Sequence, residues 1–187
     1  MIRVAVIEDH AVFRDAMSAT VRGMTQCELV GATQSIEDWD LRDWTSDVVL
    51  LDMNLPGLCG SAGVRHVVGR GVAVLVVSAA LPSDELCAAI AAGASGFVAK
   101  SADPAVVSKA IRIVAAREIF MSPILAAVLL DETARAGLQN QSGADGDVLG
   151  LIASGETYRD IAEDLAMTII EIHACVRRYV ESLRLRR

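Results

Sequence analysis

The sequence is poor in the features that define disulfide-rich or zinc-binding proteins. It contains only four cysteines among 187 residues, and they form no Cys-x-x-Cys pair. This spacing supports neither a disulfide framework nor a zinc site, so we expect buried thiols. The chain also has no internal repeat and no low-complexity segment, and 53% of its residues are hydrophobic. A globular protein is expected.

Long apolar runs and a secretion signal are also missing. The longest apolar runs, residues 72–77 and 124–130, are much shorter than the roughly 20 residues that a membrane-spanning helix needs. The apolar run after Arg3 is cut short by Glu8 and Asp9, which does not fit a signal peptide. We therefore predict a cytoplasmic protein without membrane contact.

The chain has no excess of positive charge. It carries 24 acidic and 17 basic residues, for a net charge of −7 and a pI near 4.9. Proteins that bind nucleic acid regardless of sequence neutralise its phosphates with a basic surface. This composition excludes such a protein, and any contact with DNA must be local.

The first 120 residues do carry the pattern of an α/β domain. Apolar segments typical of strands alternate there with helical patterns. The alternation predicts a doubly wound, five-stranded parallel sheet with right-handed crossovers. The predicted strands are residues 2–7, 27–32, 47–52, 72–77 and 96–99, and the predicted helices lie at 12–22, 35–46, 61–68, 82–92 and 104–119.

Polar side chains follow four of the predicted strands. Asp52 ends a strand of four consecutive apolar residues, and ligands of open α/β sheets bind outside the carboxyl ends of the strands. Taken alone, this aspartate could equally cap the next turn. The other strand ends add the polar residues Glu8, Asp9, Ser78 and Lys100.

These residue types fit a phosphoryl-accepting site. Three carboxylates in one crevice raise each other's pKa unless a hard cation lies between them. Mg²⁺ suits the position because it binds one or two carboxylates, retains water and accepts phosphate oxygens. A lysine supplies a charge for phosphate, and a serine hydroxyl donates a further hydrogen bond. We therefore predict that Asp52 receives a phosphoryl group.

Several separated motifs resemble the receiver domain of bacterial two-component response regulators. They are Glu8-Asp9, Asp52 followed by Met-Asn-Leu-Pro-Gly, Ser78-Ala79, and residues 93–100 (Gly-Ala-Ser-Gly-Phe-Val-Ala-Lys). The resemblance covers about residues 1–120 and implies a flavodoxin-like fold. It also implies that Asp52 accepts its phosphoryl group from a phosphohistidine of a sensor histidine kinase.

The resemblance assigns metal ligands around Asp52. Asp9, Asp52 and the backbone carbonyl of Asn54 are expected to hold Mg²⁺, with Glu8 acting through water. Asn54 also bears on an alternative, an aspartate-nucleophile phosphatase of the haloacid-dehalogenase-like class. Such an enzyme needs a second acid two residues after the nucleophile, where this chain has Asn54.

The same resemblance assigns the phosphate contacts and the switch. Lys100 and Ser78 are expected to bind the phosphoryl oxygens, and movement of the serine is expected to let Phe97 turn inward. Phosphorylation should change a receiver face formed by the last helix and strand, promoting dimerisation or release of an output domain. Because the transfer is stoichiometric, we do not expect an enzyme.

The remaining residues predict helices only. Residues 121–141 are interpreted as a helix starting at Ser122-Pro123 followed by a polar linker, residues 139–142. Residues 142–187 are interpreted as a small output domain of three helices joined by tight turns. Each helix follows a capping-box pattern, namely Ser142-x-x-Asp145, Thr157-x-x-Asp160 and Thr168-x-x-Glu171.

Residues 149–155 and 159–165 are similar to the LuxR-type helix-turn-helix of NarL/FixJ-class regulators. The resemblance, to an atypical and short version, implies transcription regulation through DNA and a homodimer on activation. Its third helix, from 168 to about 183, is expected to enter the major groove. The expected DNA contacts are His173, Ala174, Arg177 and Arg178.

Charge in this region leaves a second alternative open. Residues 144–167 hold six acids and one arginine, whereas residues 168–187 hold five arginines and two glutamates. In addition, Ile170 and His173 occupy positions that usually carry basic residues in that family. The alternative is a receiver with a degenerate output domain that acts through protein contacts rather than DNA.

Overall fold

The structure is a computed structural model that describes residues 1–79, 83–135 and 143–184. Its strands are β1 (Ile2–Ile7), β2 (Cys27–Thr33), β3 (Val48–Leu51), β4 (Ala73–Ser78) and β5 (Gly96–Ala99). The helices in these ranges are α1 (Ala11–Arg22), α2 (Ile36–Asp40), α3 (Gly60–Gly69), α4 (Ser83–Ala91), α5 (Pro104–Ala115), α6 (Pro123–Arg135), α7 (Ala144–Ala153), α8 (Tyr158–Asp164) and α9 (Ile169–Arg184).

The sheet is parallel, with strand order β2-β1-β3-β4-β5, which confirms the predicted doubly wound receiver fold. Every residue of β3 and β4 is buried, as expected for central strands covered on both faces. Ile36, Val64 and Leu86, from α2, α3 and α4, pack on one face of the sheet. The helices α1 and α5 cover the other face. This order brings the carboxyl ends of β1, β3, β4 and β5 to one rim.

The fifth helix is shorter than its sequence indicates. Asp103 caps it and Pro104 is its first residue, as predicted, but the helix ends at Ala115 rather than near position 119. Arg117 then adopts a left-handed φ of 63°. Phe120 turns back and bridges to Gly96, where a Cβ would lie only 2.8 Å from the Phe120 carbonyl oxygen. The chain therefore leaves the helix to pair with the start of β5.

The carboxy-terminal helices follow the predicted order. The capping boxes at Thr157 and Thr168 form, each with its acidic partner three residues on. The first predicted box does not cap α7, because that helix begins after Gly143 and shows no side-chain cap. The predicted linker, residues 139–142, lies outside the described residues, and so does Ser142. The helix predicted before the linker is α6, Pro123–Arg135.

These helices share one continuous core with the receiver. The buried face of α6 packs against both α7 and α4, and α9 also contacts α4. The Thr133 hydroxyl of α6 and the Tyr179 hydroxyl of α9 form a buried hydrogen bond of 2.7 Å. The helix α6 is thus packed between the receiver and the last helices. The division into units at residues 120 and 142 stays a prediction.

None of the helices in the described ranges combines the length and the apolar composition that crossing a bilayer would require.

Candidate functional site

Two buried carboxylates lie side by side at the carboxyl rim of the sheet. In the pairing of β1 with β3, Ile7 lies opposite Leu51, so the next residues, Glu8 and Asp52, emerge together. The backbone N–H of Asp52 donates to the Ile7 carbonyl at 3.0 Å, which extends the pairing to the rim. Glu8 is 2% exposed and Asp52 is 4% exposed. Burial of two like charges requires a compensating cation.

Lys100 supplies that compensation from β5. Its backbone N–H donates to the Ser78 carbonyl at 2.8 Å, which fixes the residue beside the end of β4. The side chain, 10% exposed, places Nζ 2.6 Å from Glu8 Oε2 and 3.1 Å from Asp52 Oδ2. Burial of the amine lowers the pKa of Lys100, but the bonds to the two carboxylates outweigh burial, so the pKa is raised.

Asp9 completes an acidic cluster at this rim. Carboxylate oxygens of Glu8, Asp9 and Asp52 all lie within 4.8 Å of one another, which is a suitable ligand set for a metal ion. Asp9 is exposed whereas the other two are buried, so a cation here would keep water on one side, as Mg²⁺ prefers. Asn54 is exposed in the loop after β3, and its role as a ligand stays a prediction.

The oxygens of Asp52 have different partners. Oδ1 accepts a 2.8 Å hydrogen bond from the Met53 backbone N–H, and Oδ2 faces Lys100. The carboxylate is therefore fixed in orientation from both sides. Ser78 is fully buried at the end of β4. Phe97 is 6% exposed in β5, so this structure holds the expected switch residue inside the core.

The first turn of α1 contributes two residues that the sequence pattern did not single out. The ring of Phe13 lies 4.7 Å from Lys100 Nζ and 5.2 Å from the His10 ring. Arg14 Nη1 donates to the carbonyl oxygens of Glu8 and Asp9, at 2.8 and 3.0 Å. Helical periodicity assigns Phe13 to a core-facing stripe, and only its position just after the acidic pair indicates a role here.

Comparison with known proteins identifies the family. The protein-family model described as the response regulator receiver domain matches residues 4–112, which is more than half of the chain. The chain is a response regulator. This regulator is 27% identical to the transcriptional regulatory protein LiaR of Bacillus subtilis, over 90% of the chain and 84% of LiaR. It is 26% identical to the nitrate/nitrite response regulator protein NarL of Escherichia coli K12, over 98% of the chain and 89% of NarL.

Solved structures agree with this assignment. A LuxR-family two-component response regulator from Aurantimonas sp. SI85-9A1 has a TM-score of 0.64 and 29% identity, covering 71% of the chain and 97% of that protein. Salmonella typhimurium RcsB, at 18% identity, shares the fold with a TM-score of 0.63 over 97% of the chain and 91% of RcsB. The predicted NarL/FixJ-type resemblance is confirmed, and LiaR is by name a transcriptional regulatory protein.

The residues predicted to contact DNA are largely engaged within the regulator. Arg177 Nη2 lies 2.8 and 2.7 Å from the two carboxylate oxygens of Glu118, which follows α5. Arg178 pairs with Asp145 of α7. Ala174 is partly buried on the same helix. Arg177 and Arg178 are therefore paired with acids of the receiver and of α7.

His173 is packed at the same contact. Its ring meets Tyr158 edge-on at 5.1 Å, and its side chain is 16% exposed. Burial lowers the pKa of His173, Glu118 opposes that effect, and Arg177 adds to it. Burial also raises the pKa of Tyr158 to about 12. The receiver residues that meet α9 include residues of α4 and Glu118, which follows α5. The expected change in a receiver face formed by the last helix and strand stays a prediction.

Proposed function

We propose that Asp52 is the phosphoacceptor of this response regulator and that a phosphohistidine of a sensor histidine kinase is its donor. The observation that carries the proposal is Lys100, whose amine is within hydrogen-bond distance of both Glu8 and Asp52 where three acids converge. A buried carboxylate beside a cation and a possible metal site suits an acceptor better than a turn cap.

In the proposed transfer, an Asp52 carboxylate oxygen attacks phosphorus, the new O–P bond forms and the P–N bond to the donor imidazole breaks. The donor leaves as histidine, so the regulator consumes one donor per phosphorylation and is not an enzyme. The Met53 N–H holds the other oxygen, which orients the attack. Lys100 and the Ser78 hydroxyl are proposed to bind phosphoryl oxygens once they carry negative charge.

We propose Mg²⁺ as the cofactor of this transfer. Glu8, Asp9 and Asp52 supply the oxygen ligands that a hard cation prefers, with the carbonyl of Asn54 as a further ligand. When bound, the ion neutralises charge that develops on the phosphoryl oxygens. Without it, Lys100 is the nearest described cation of the cluster and pairs with two of its acids.

The proposed output is regulation of transcription by the carboxy-terminal helices. In the structure α9 packs on α4, an arrangement that we call the closed state. Phosphorylation would act by favouring a second state, in which α9 is released. Released, His173, Ala174, Arg177 and Arg178 are the proposed contacts to DNA, in a homodimer. Support comes from LiaR, a relative named as a transcriptional regulatory protein, and from the structural neighbour RcsB, whose dimers have been solved bound to DNA. The cytoplasmic location stays a prediction.

A second output, contact with protein instead of DNA, has an observation of its own in favour. The first turn of α9 exposes Ile169 and Ile170, apolar side chains that form no hydrogen bonds with base edges. No described residue favours the aspartate-nucleophile phosphatase, since Asn54 occupies the position of the second acid.

Beryllofluoride, which imitates an aspartyl phosphoryl group, tests the receiver proposal without a kinase. With Mg²⁺ it should raise the melting temperature of the wild type, because a ligand of the native state stabilises it. Asp52→Asn should remove the response, whereas Asp43→Asn, a control at an exposed aspartate away from the rim, should retain it. Equal responses of wild type and Asp52→Asn would contradict the proposal.

A further inference from the structure

The helix-turn-helix turn exposes a group of large apolar side chains. Leu165 is 36% exposed, Ile169 is 42% exposed and Ile170 is 80% exposed. Only nine large apolar residues are exposed in the described part of the chain, and three of them fall within these six positions. Scattered exposed residues need no explanation, but a group of this kind marks an interaction site.

The turn is held in a fixed conformation. Ala166 adopts a left-handed φ of 50°, which closes the connection between α8 and α9. At the start of α9, the Thr168 hydroxyl accepts from the Glu171 N–H at 3.3 Å, and the Glu171 carboxylate accepts from the Thr168 N–H at 2.7 Å. The opposite side of α9 is buried, with Ile172 and Val176 inaccessible. The apolar side chains are therefore presented on a rigid support.

Acidic side chains border this group. Residues 156–171 contain five acids and one arginine, a net charge of −4. Glu163, Asp164 and Glu171 are exposed, and the arginine is paired with Glu163 at 3.4 Å. We call the three apolar residues and their acidic neighbours the turn surface, which consists of Leu165, Ile169, Ile170, Glu163, Asp164 and Glu171.

The chemistry of the turn surface selects among possible occupants. DNA is disfavoured because acids at this edge repel phosphates and isoleucine cannot form hydrogen bonds with base edges. A second copy meeting the same surface would bring the two acidic borders together, which is repulsive. A protein segment with apolar side chains flanked by lysine or arginine satisfies both the centre and the border.

We infer that the turn surface is a docking site for a basic amphipathic segment of a partner protein. Apolar side chains of the segment pack against Ile169 and Ile170, and its cations pair with Asp164 and Glu171. The site is accessible while Arg177 is bound to Glu118, so docking requires neither release of α9 nor phosphorylation. This inference is independent of the phosphoacceptor role of Asp52.

The test uses the full chain and a fluorescent amphipathic peptide of leucine and lysine, about five helical turns long. Fluorescence anisotropy should show binding, and a leucine-glutamate peptide of the same pattern should not bind. Ile170→Ser and Asp164→Lys should each weaken binding about tenfold, as expected for a central contact and a border charge. Asp164 ends α8, where an acid is unfavourable, so Asp164→Lys should not destabilise the fold.

The matched control is Ile124→Ser, which changes an isoleucine that is 62% exposed on α6, away from the turn. It should bind the leucine-lysine peptide as the wild type does. Binding that is equal in the wild type and all three variants, or no binding by the wild type, overturns the inference. Binding of random duplex DNA that Ile170→Ser abolishes, or self-association that the same change abolishes, also overturns it, by showing a different occupant.

Discussion

At the scale of single residues, Lys100 is the cation that compensates two buried carboxylates. Its amine contacts both Glu8 and Asp52, and its side chain is nearly inaccessible. Removing one partner of a buried ionic group leaves uncompensated charge, which costs more than the pair contributes when intact. The stability and the chemistry of the rim therefore depend on the same side chain.

Replacing Lys100 by methionine is expected to lower the free energy of unfolding by about 3 kcal/mol in the absence of divalent cations. It should also prevent retention of a phosphoryl group on Asp52. Lys109→Met is the control, because Lys109 is exposed on α5. Urea denaturation of both variants provides the comparison, and equal losses would show that Lys100 does not stabilise the acidic cluster.

Phe13 is expected to hold the lysine in place by a cation–π contact. Phe13→Ala uncovers the Lys100 amine and should shorten the lifetime of the phosphorylated state about threefold, since such a contact contributes about 0.5–1 kcal/mol. Phe13→Trp should preserve the lifetime. Loss of phosphoryl groups can be followed by mass spectrometry, with Val12→Ala, a neighbouring exposed position, as the control. Equal lifetimes in Phe13→Ala and the control would exclude this role.

The site residues differ in how well sequence predicts them. Glu8, Asp52 and Lys100 follow continuous apolar strands, so the parallel topology alone brings them to one rim. Helical periodicity assigns Phe13 to the core-facing side of α1, but the structure leaves its side chain 38% exposed. Its contact with Lys100 depends on the angle at which α1 leaves the rim. No local pattern encodes that angle.

At the scale of elements, the contact between α9 and the receiver includes one side chain with a shifted pKa, His173. Burial places the pKa of His173 below its ordinary value of about 6.5. The packed histidine is therefore neutral, and the released or unfolded histidine binds a proton more readily. Its contribution to the closed state is fully present above the ordinary pKa and is lost as the pH falls below that value toward the folded pKa.

Acidification below about pH 6.5 is thus expected to lower the protection of α9 amides against hydrogen exchange, once the rates are corrected for the pH dependence of intrinsic exchange. His173→Gln should flatten this dependence because it removes the titrating ring while keeping a polar side chain. Hydrogen exchange of α9 measured across this pH range, for wild type and variant, provides the check. The same pH dependence in both proteins would assign the effect to another group.

Element ends show where local patterns fail. The boxes at Thr157 and Thr168 are satisfied within four residues, so sequence predicts them. The first pattern, Ser142-x-x-Asp145, is of the same type, but α7 begins after Gly143 and Asp145 pairs with Arg178 from α9. Likewise, α5 ends at Ala115, before the predicted position 119, because Phe120 pairs with Gly96. In both cases a contact with a residue distant in sequence determines the local structure.

At the scale of the whole molecule, one apolar core runs from the sheet through α4 to the last helices. Alternation of strands and helices predicts the receiver fold, since parallel topology leaves few alternatives. The placement of α9 on α4 was not predictable from sequence. It depends on contact between the apolar faces of α4 and α6, which are far apart in sequence. Periodicity predicts which face of a helix is apolar but not which element packs against that face.

Signalling by this regulator depends, in our proposal, on a phosphoryl group that Asp52 accepts at the rim of the sheet. The most direct measurement is peptide mass spectrometry of the regulator after treatment with acetyl phosphate and Mg²⁺. We expect one phosphoryl group per chain, on the peptide that contains Asp52, and none in Asp52→Asn or when Mg²⁺ is chelated. A phosphoryl group on another residue, or equal labelling of the Asp52→Asn protein, would contradict it.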